Sequence, residues 1–209
     1  HGIDLHPTNP DSLVATISAG GAYRTDDGGA SWRPVNQGVR MDFAPEEQQN
    51  VPAGHCVHKL VRSPADPEWL FQQNHCGPHR SADGGATWEP CGDGLPSGFG
   101  FPAAAHPHEP RTVYVAPLAG DGFRVFPDGA LAVWRSRDGG GSWEPLRCGL
   151  PQQGAYTSAY RSAMATDRED SAGVYLGTAT GQVFFSGDDG DHWELIADFL
   201  PPILSLEAA

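Results

Sequence analysis

Four times the chain spells almost the same ten residues: YRTDDGGASW, HRSADGGATW, WRSRDGGGSW and FFSGDDGDHW. The tryptophans that close them, Trp32, Trp88, Trp143 and Trp193, stand 56, 55 and 50 residues apart. A period of that size, with one turn motif between β-rich runs, means that a single supersecondary unit has been copied along the chain. Each copy reads as four short strands bounded by Gly, Pro and Asp. In the second copy these are CVHKLVRSP, WLFQQNH, GPHRSA and TWEPCG, here called strands A to D. The fourth copy gives YRSAMAT, GVYLGTA, GQVFFSG and HWELIAD in the same register, so AMATDRED, despite some helical propensity, reads as strand A.

Tandem four-stranded antiparallel units of about this length are blades of a β-propeller, whose radial packing protects sheet edges. The expectation is an all-β chain, 1–209, with blades at roughly 1–38, 55–94, 99–149 and 156–199. The final residues, 200–209, read as an extra or closing strand. Gly and Pro supply about a fifth of the chain, as many short strands and turns require. No apolar run reaches the length of a membrane span, so no membrane insertion is expected. The net charge of −13, with Lys59 the single lysine, makes nucleic acid a poor partner. The four cysteines follow no zinc spacing. They read as free thiols, with a Cys56–Cys76 bridge as the alternative.

The repeated turn follows Ser/Thr-x-Asp-x-Gly-x-Ser/Thr-Trp and sits in every C–D hairpin. Asp27, Asp83, Asp138 and Asp188 are expected to fold onto nearby backbone N–H groups, and Trp32, Trp88, Trp143 and Trp193 to bury their rings between sheets. His192 departs from the Ser/Thr pattern. Four acidic turns invite a calcium or catalytic reading, but a turn staple at the rim is the better one.

This motif resembles the Asp-box, or bacterial neuraminidase repeat, and the chain as a whole is similar to a bacterial sialidase-like or glycosyl-hydrolase-like group. HPTNPDSL, CVHKL, QNHCG and GTATGQV carry that likeness. The resemblance implies a six- or seven-bladed ring with further blades before His1, and a ligand site on the face opposite the Asp-boxes. The chain begins at His1 in the middle of a repeat, so the lack of an initiator Met and of a signal peptide carries no information; a cytoplasmic rather than secreted location is expected.

A propeller lines its channel with strand A. Aligning the A strands on their outgoing ends places His1, His58, Phe101 and Arg161 at equivalent positions around one mouth. The B–C hairpins open on the same face: residues 19–21, 74–77 (with His75 and Cys76) and 178–181. In the third blade this hairpin expands to AGDGFRVFPDGA, carrying Asp121, Arg124 and Asp128. The connection 39–55 is also long and carries Arg40, Asp42, Glu46 and Glu47. Long loops on one face of a rigid scaffold are where binding residues collect.

The ligand-binding candidates are therefore His1, Arg40, Asp42, His58, His75, Phe101 and Arg161, with Phe99, Phe123 and Phe126 as further apolar floor. Three chemistries compete for this mouth. A divalent metal could take His1, His58 and His75, with Cys76 or Asp42. A glycoside hydrolase could use Asp42 with Glu46, Glu47 or Asp121. The favoured reading is recognition of a glycan, peptide or protein partner without an assigned reaction. The full sialidase set is not present: the Arg-Ile-Pro motif is missing, and Tyr160, next to Arg161 on a strand, should point away from it. His6, Pro7, His106 and Pro107 read as turn formers, and GTATGQV opens no helix to cradle a phosphate.

Overall fold

A computed structural model describes residues 2–208. They form sixteen strands and, among the described residues, no α-helix. The first sheet contains β1 (Gly2–Leu5), β2 (Leu13–Ile17), β3 (Gly21–Thr25) and β4 (Arg33–Pro34). The second has β5 (Val57–Arg62), β6 (Leu70–Asn74), β7 (Gly77–Ser81) and β8 (Glu89–Pro90). The third has β9 (Gly100–Ala105), β10 (Val113–Pro117), β11 (Val133–Ser136) and β12 (Glu144–Leu146). The fourth has β13 (Met164–Thr166), β14 (Val174–Gly177), β15 (Val183–Ser186) and β16 (Glu194–Ala197). Every sheet is an antiparallel meander in chain order. The inner strands pack in series, β1 on β5, β5 on β9 and β9 on β13. This is a propeller arc of four blades, as the repeat requires. No helix is long and apolar enough to cross a membrane.

The core lies in the seams between blades. Val14, Ala22 and Val35 meet Leu60 across the first seam. The third seam joins Tyr114, Val133 and Leu146 to Val174, Leu176 and Phe184. A blade covered on both faces buries nearly all of its inner strands, as β9 and β10 do. In the first blade β2 alternates instead, Val14 and Thr16 buried, Ile17 exposed. The same difference corrects one expectation: Trp88 and Trp193 are buried and Trp143 half-buried, but Trp32 is exposed, because no described blade precedes it.

At the outgoing end of each inner strand one side chain caps the A–B turn. His6 Nδ1 accepts the Asn9 N–H at 3.2 Å, and His106 Nδ1 accepts the Glu109 N–H at 3.0 Å. Ser63 Oγ and Asp167 Oδ1 hold the equivalent places, accepting from Asp66 and Glu169. The recurring His-Pro steps are turn formers.

After β16 the chain does not add a strand to a sheet. It turns back over the fourth blade, where Ile203 N–H donates to Thr178 O and Leu206 N–H to Ser162 O. Ser205 makes a lone parallel bridge to Ser162.

Candidate functional site

The repeated turns are closed on themselves. Asp138 Oδ1 accepts the Ser142 N–H at 2.9 Å and the Ser136 hydroxyl at 2.8 Å, while Oδ2 accepts the Ser142 hydroxyl at 2.8 Å. Ser136 Oγ in turn accepts the Gly140 N–H at 2.7 Å. Asp27, Asp83 and Asp188 repeat the pattern, and His192 fills its variant position by placing Nδ1 2.8 Å from Asp188 Oδ2. The donors around Asp27 and Asp138 hold both carboxyls down at about 2. Carboxylates committed in this way to their own turn serve as staples rather than as ligands for a metal or a substrate.

The turns also lock adjacent blades. The arginine before each motif reaches the next turn: Arg24 donates to Gly84 O at 3.0 Å, Arg80 to Gly139 O at 3.0 Å and Arg135 to Asp189 O at 2.7 Å. In the fourth blade this position is Phe185, whose ring lies 4.8 Å from that of Tyr175. In the other direction, Trp88 Nε1–H donates to Val35 O and Trp143 Nε1–H to Cys91 O.

The opposite face carries the loops. There the aligned inner strands bring together three of the predicted residues, while His1 lies outside the described residues. The Phe101 ring is 4.8 Å from that of His58 and 4.9 Å from the Arg161 guanidinium. A small cavity of about 80 Å³ beside them is lined by Asp4, Thr16, His58, Lys59, Arg161 and Ser162. Arg161 Nε is buried without a hydrogen-bond partner among the described residues, and Nη2 reaches Ser18 Oγ at 3.5 Å. Arg161 precedes β13 rather than lying in it, so strand alternation does not set the relative directions of Tyr160 and Arg161. Of the four phenylalanines expected to floor the mouth, Phe99, Phe101 and Phe126 belong to the core and Phe123 is exposed.

Both long loops fold over this face. In 39–55, Arg40 and Asp42 pair with each other at 2.8 Å, both exposed, and Asp42 N–H donates to Cys76 Sγ. Phe43 sets its ring edge against His75, centroids 5.1 Å apart. Glu46 and Glu47 are exposed in a single 3-10 turn. In the expanded hairpin, Arg124 pairs with Asp121 and lies over Phe99 and Phe101, at 5.7 and 5.6 Å. The Arg124 hydrogen bond holds the Asp121 carboxyl below its usual range. A glycosidic acid needs the opposite shift. Asp42 and Asp121 each pair with an arginine, Arg40 and Arg124.

Beneath Phe43 three donors converge: Cys56, His58 and His75 place one ligand atom each within 4.8 Å of one another. The cause is local geometry. Cys56 and His58 stand two residues apart at the entrance to β5, and His75 lies opposite Cys56, its N–H donating to Cys56 O at 3.0 Å. His58 is buried, with Nδ1 2.6 Å from Gly100 O. Burial depresses its pKa to about 4, so the imidazole is neutral at pH 7. The expected metal set of His1, His58 and His75 with Cys76 or Asp42 is thus altered: Cys56 joins the two described histidines. Cys56 and Cys76 are both free thiols. The Cys56-Val57-His58 spacing was the sequence signal for this cluster.

A larger groove was not foreseen. Between the third and fourth blades, on the same loop-rich face, a cavity of about 580 Å³ is lined by Leu131, residues 153–157, Thr178, Thr180, Gln182, Phe184 and Asp198. Tyr156 is exposed, its ring set against Gly129, where an added Cβ would stand 2.9 Å from Tyr156 Cζ. Thr180 Oγ1 lies 2.8 Å from Thr157 Oγ1 and 2.6 Å from Gln182 Oε1, making a polar ladder along one wall.

No known protein-family profile matches the chain. Among curated proteins, a xyloglucanase from Paenibacillus is 25% identical over 199 residues, which is 87% of this chain and 18% of that protein. Xyloglucanase Xgh74A of Acetivibrio thermocellus is 24% identical, over 93% of this chain and 25% of its own length. The chain therefore spans about a quarter or less of these relatives. Among solved structures, an ancestral GH74 enzyme superposes with a TM-score of 0.67 at 20% identity, covering 94% of this chain and 24% of that one. The GH74 xyloglucanase of Xanthomonas campestris gives 0.62 at 18% identity, covering 94% and 30%. YCF48 from Cyanidioschyzon merolae gives 0.55 at 17% identity, covering 93% and 55%. The chain has the fold of glycoside-hydrolase propellers.

Proposed function

We propose that the chain is a glycoside-hydrolase-like propeller segment that binds a glycan across its loop-rich face. The observation that carries this reading is the groove at the third seam. It joins an exposed aromatic ring, Tyr156, to a wall of hydroxyl and amide groups, Thr157, Thr180 and Gln182. Sugar rings present apolar C–H faces and a rim of hydroxyls, so an aromatic platform beside hydrogen-bonding side chains matches both. At the mouth, the Arg161 guanidinium lies over the Phe101 ring and lines the small cavity, where it suits a polar substituent. The xyloglucanase relatives support a β-glucan as the glycan class.

A glycoside hydrolase acting at this face is the second reading, favoured by the xyloglucanase relatives, with its carboxylates among Asp42, Glu46, Glu47 and Asp121. Glu46 and Glu47 are exposed in their turn, and Asp42 and Asp121 are held by Arg40 and Arg124.

Calorimetric titration with xyloglucan and cello-oligosaccharides tests the reading. Tyr156→Ala is expected to weaken binding about tenfold, the value of one stacked ring. Arg161→Ala should weaken it by a similar factor. Absence of binding to any glycan, or binding unaffected by both substitutions, overturns the reading.

A further inference from the structure

The geometry points to a second site, independent of the glycan groove: Cys56, His58 and His75 form a three-donor centre for a divalent ion of the zinc class. His58 lies in β5 beside a bulge in its pairing with β6, Cys56 just before that strand, and His75 in the tight two-residue turn between β6 and β7. Cys56 and His58 come from one strand entrance and His75 from the facing strand end, so the backbone hydrogen bond from His75 to Cys56 fixes their spacing.

The donor chemistry is consistent. Carbonyl oxygen of Gly100 fixes the tautomer of His58: the bond at 2.6 Å requires the proton on Nδ1 and leaves the Nε2 lone pair free. That is the second-shell arrangement that orients a ligating imidazole. The rings of Phe99 and Phe101, with centroids 5.3 and 4.8 Å from that of His58, wall the imidazole in. Asp121 Oδ2 stands 3.9 Å from His75 Nε2, in reach of an outer-shell role.

The size also fits. Donors around a tetrahedral zinc lie roughly 3.4–3.8 Å apart, given metal–ligand bonds of about 2.0–2.3 Å. The donors lie within 4.8 Å of one another and draw together on binding, with Cys56 and His75 both only partly buried. Two imidazoles and one thiolate leave a fourth position. A cavity of about 190 Å³ lined by Ala19, Phe43, Gly54, Cys56 and His75 adjoins the cluster and gives a water or a small ligand access to it. On binding, the Cys56 S–H bond breaks and the metal–sulfur bond forms, with the proton passing to solvent. The centre then carries one net positive charge, favoured by the −13 protein around it.

Cobalt(II) and zinc titrations of the whole chain, purified under a phosphine reductant after chelation, test the assignment. One equivalent of cobalt should produce thiolate-to-cobalt charge-transfer absorption and tetrahedral d–d bands with release of a proton, and zinc should displace the cobalt with no further proton released. Cys56→Ser should abolish the charge-transfer band and weaken zinc binding by more than about 100-fold. Because His58 is buried and its replacement could unfold the blade, His75→Gln serves as the second ligand variant, with metal-free circular dichroism as the folding control. It should shift the d–d bands and weaken binding while leaving the fold intact. Cys76→Ser and Cys148→Ser should keep both bands. A chain that binds no cobalt at micromolar concentration overturns the proposal. So does a band that survives Cys56→Ser, or one that is lost with Cys76→Ser instead.

Discussion

The carboxylate of Asp138 illustrates how one residue type serves two opposite ends in this protein. Its four acceptor sites are filled by Ser136, Ser142 and the turn backbone, and the carboxyl titrates near 2 rather than at its ordinary 3.8. A depressed carboxyl stabilises the fold fully above its unfolded pKa and loses that contribution as pH falls through the folded value. Thermal melts from pH 6 down to pH 2 should therefore show Asp138→Asn less stable than wild type at pH 6, the gap closing below about pH 4. A gap that persists to pH 2 would show that the turn does not depend on the charge. The repeated turn could be read from sequence because its donors lie within four residues of the Asp. Cys56, by contrast, gains its meaning from His75, nineteen positions away and reached only once β5 pairs with β6. No local pattern except the short Cys-x-His step announced it.

At the scale of the element, seams matter more than sheets. Arg135 is almost fully buried and engages Glu144, Asp191 and the carbonyl of Asp189 in the next blade. Its carboxylate partners remain half exposed and regain water when it is removed. Arg135→Ala should therefore cost about 1–2 kcal/mol in denaturant unfolding, and the more exposed Arg24→Ala less than about 1 kcal/mol. Equal effects would refute the ranking by burial. Gly149 is a second seam element: it has φ +87°, and a Cβ there would stand 1.9 Å from Trp193 O. Gly149→Ala should cost at least ~2 kcal/mol by the same measurement. The strands were legible because each alternates or ends on a turn residue in four parallel copies. The Tyr156 groove was not, since it arises where a connection without regular structure crosses a neighbouring hairpin.

Over the whole molecule, protection should follow how many neighbours a blade has. Inner strands β9 and β10 of the third blade are buried throughout, whereas β1 and β4 are mostly exposed. Hydrogen exchange by mass spectrometry should find β9 and β10 the slowest and the first blade the fastest. Uniform protection would mean that the four blades open as one unit. The propeller was legible from the repeat, while the long loops that gather on one of its faces, 39–55 and 118–132, obey no period and had to be seen in place.

An arginine at each described seam, and a tryptophan that reaches back across it (by an indole hydrogen bond at the first two), give the array a direction. A blade carries its forward grip, the arginine, and its backward grip, the tryptophan, in one ten-residue segment. Duplicating such a blade copies both halves of its interfaces at once, so a chain of this kind can lengthen without any new interface having to evolve. Phe185 breaks that symmetry. A tandem copy of the third blade would arrive ready to engage its successor, while a copy of the fourth would follow a blade that has given up its forward grip.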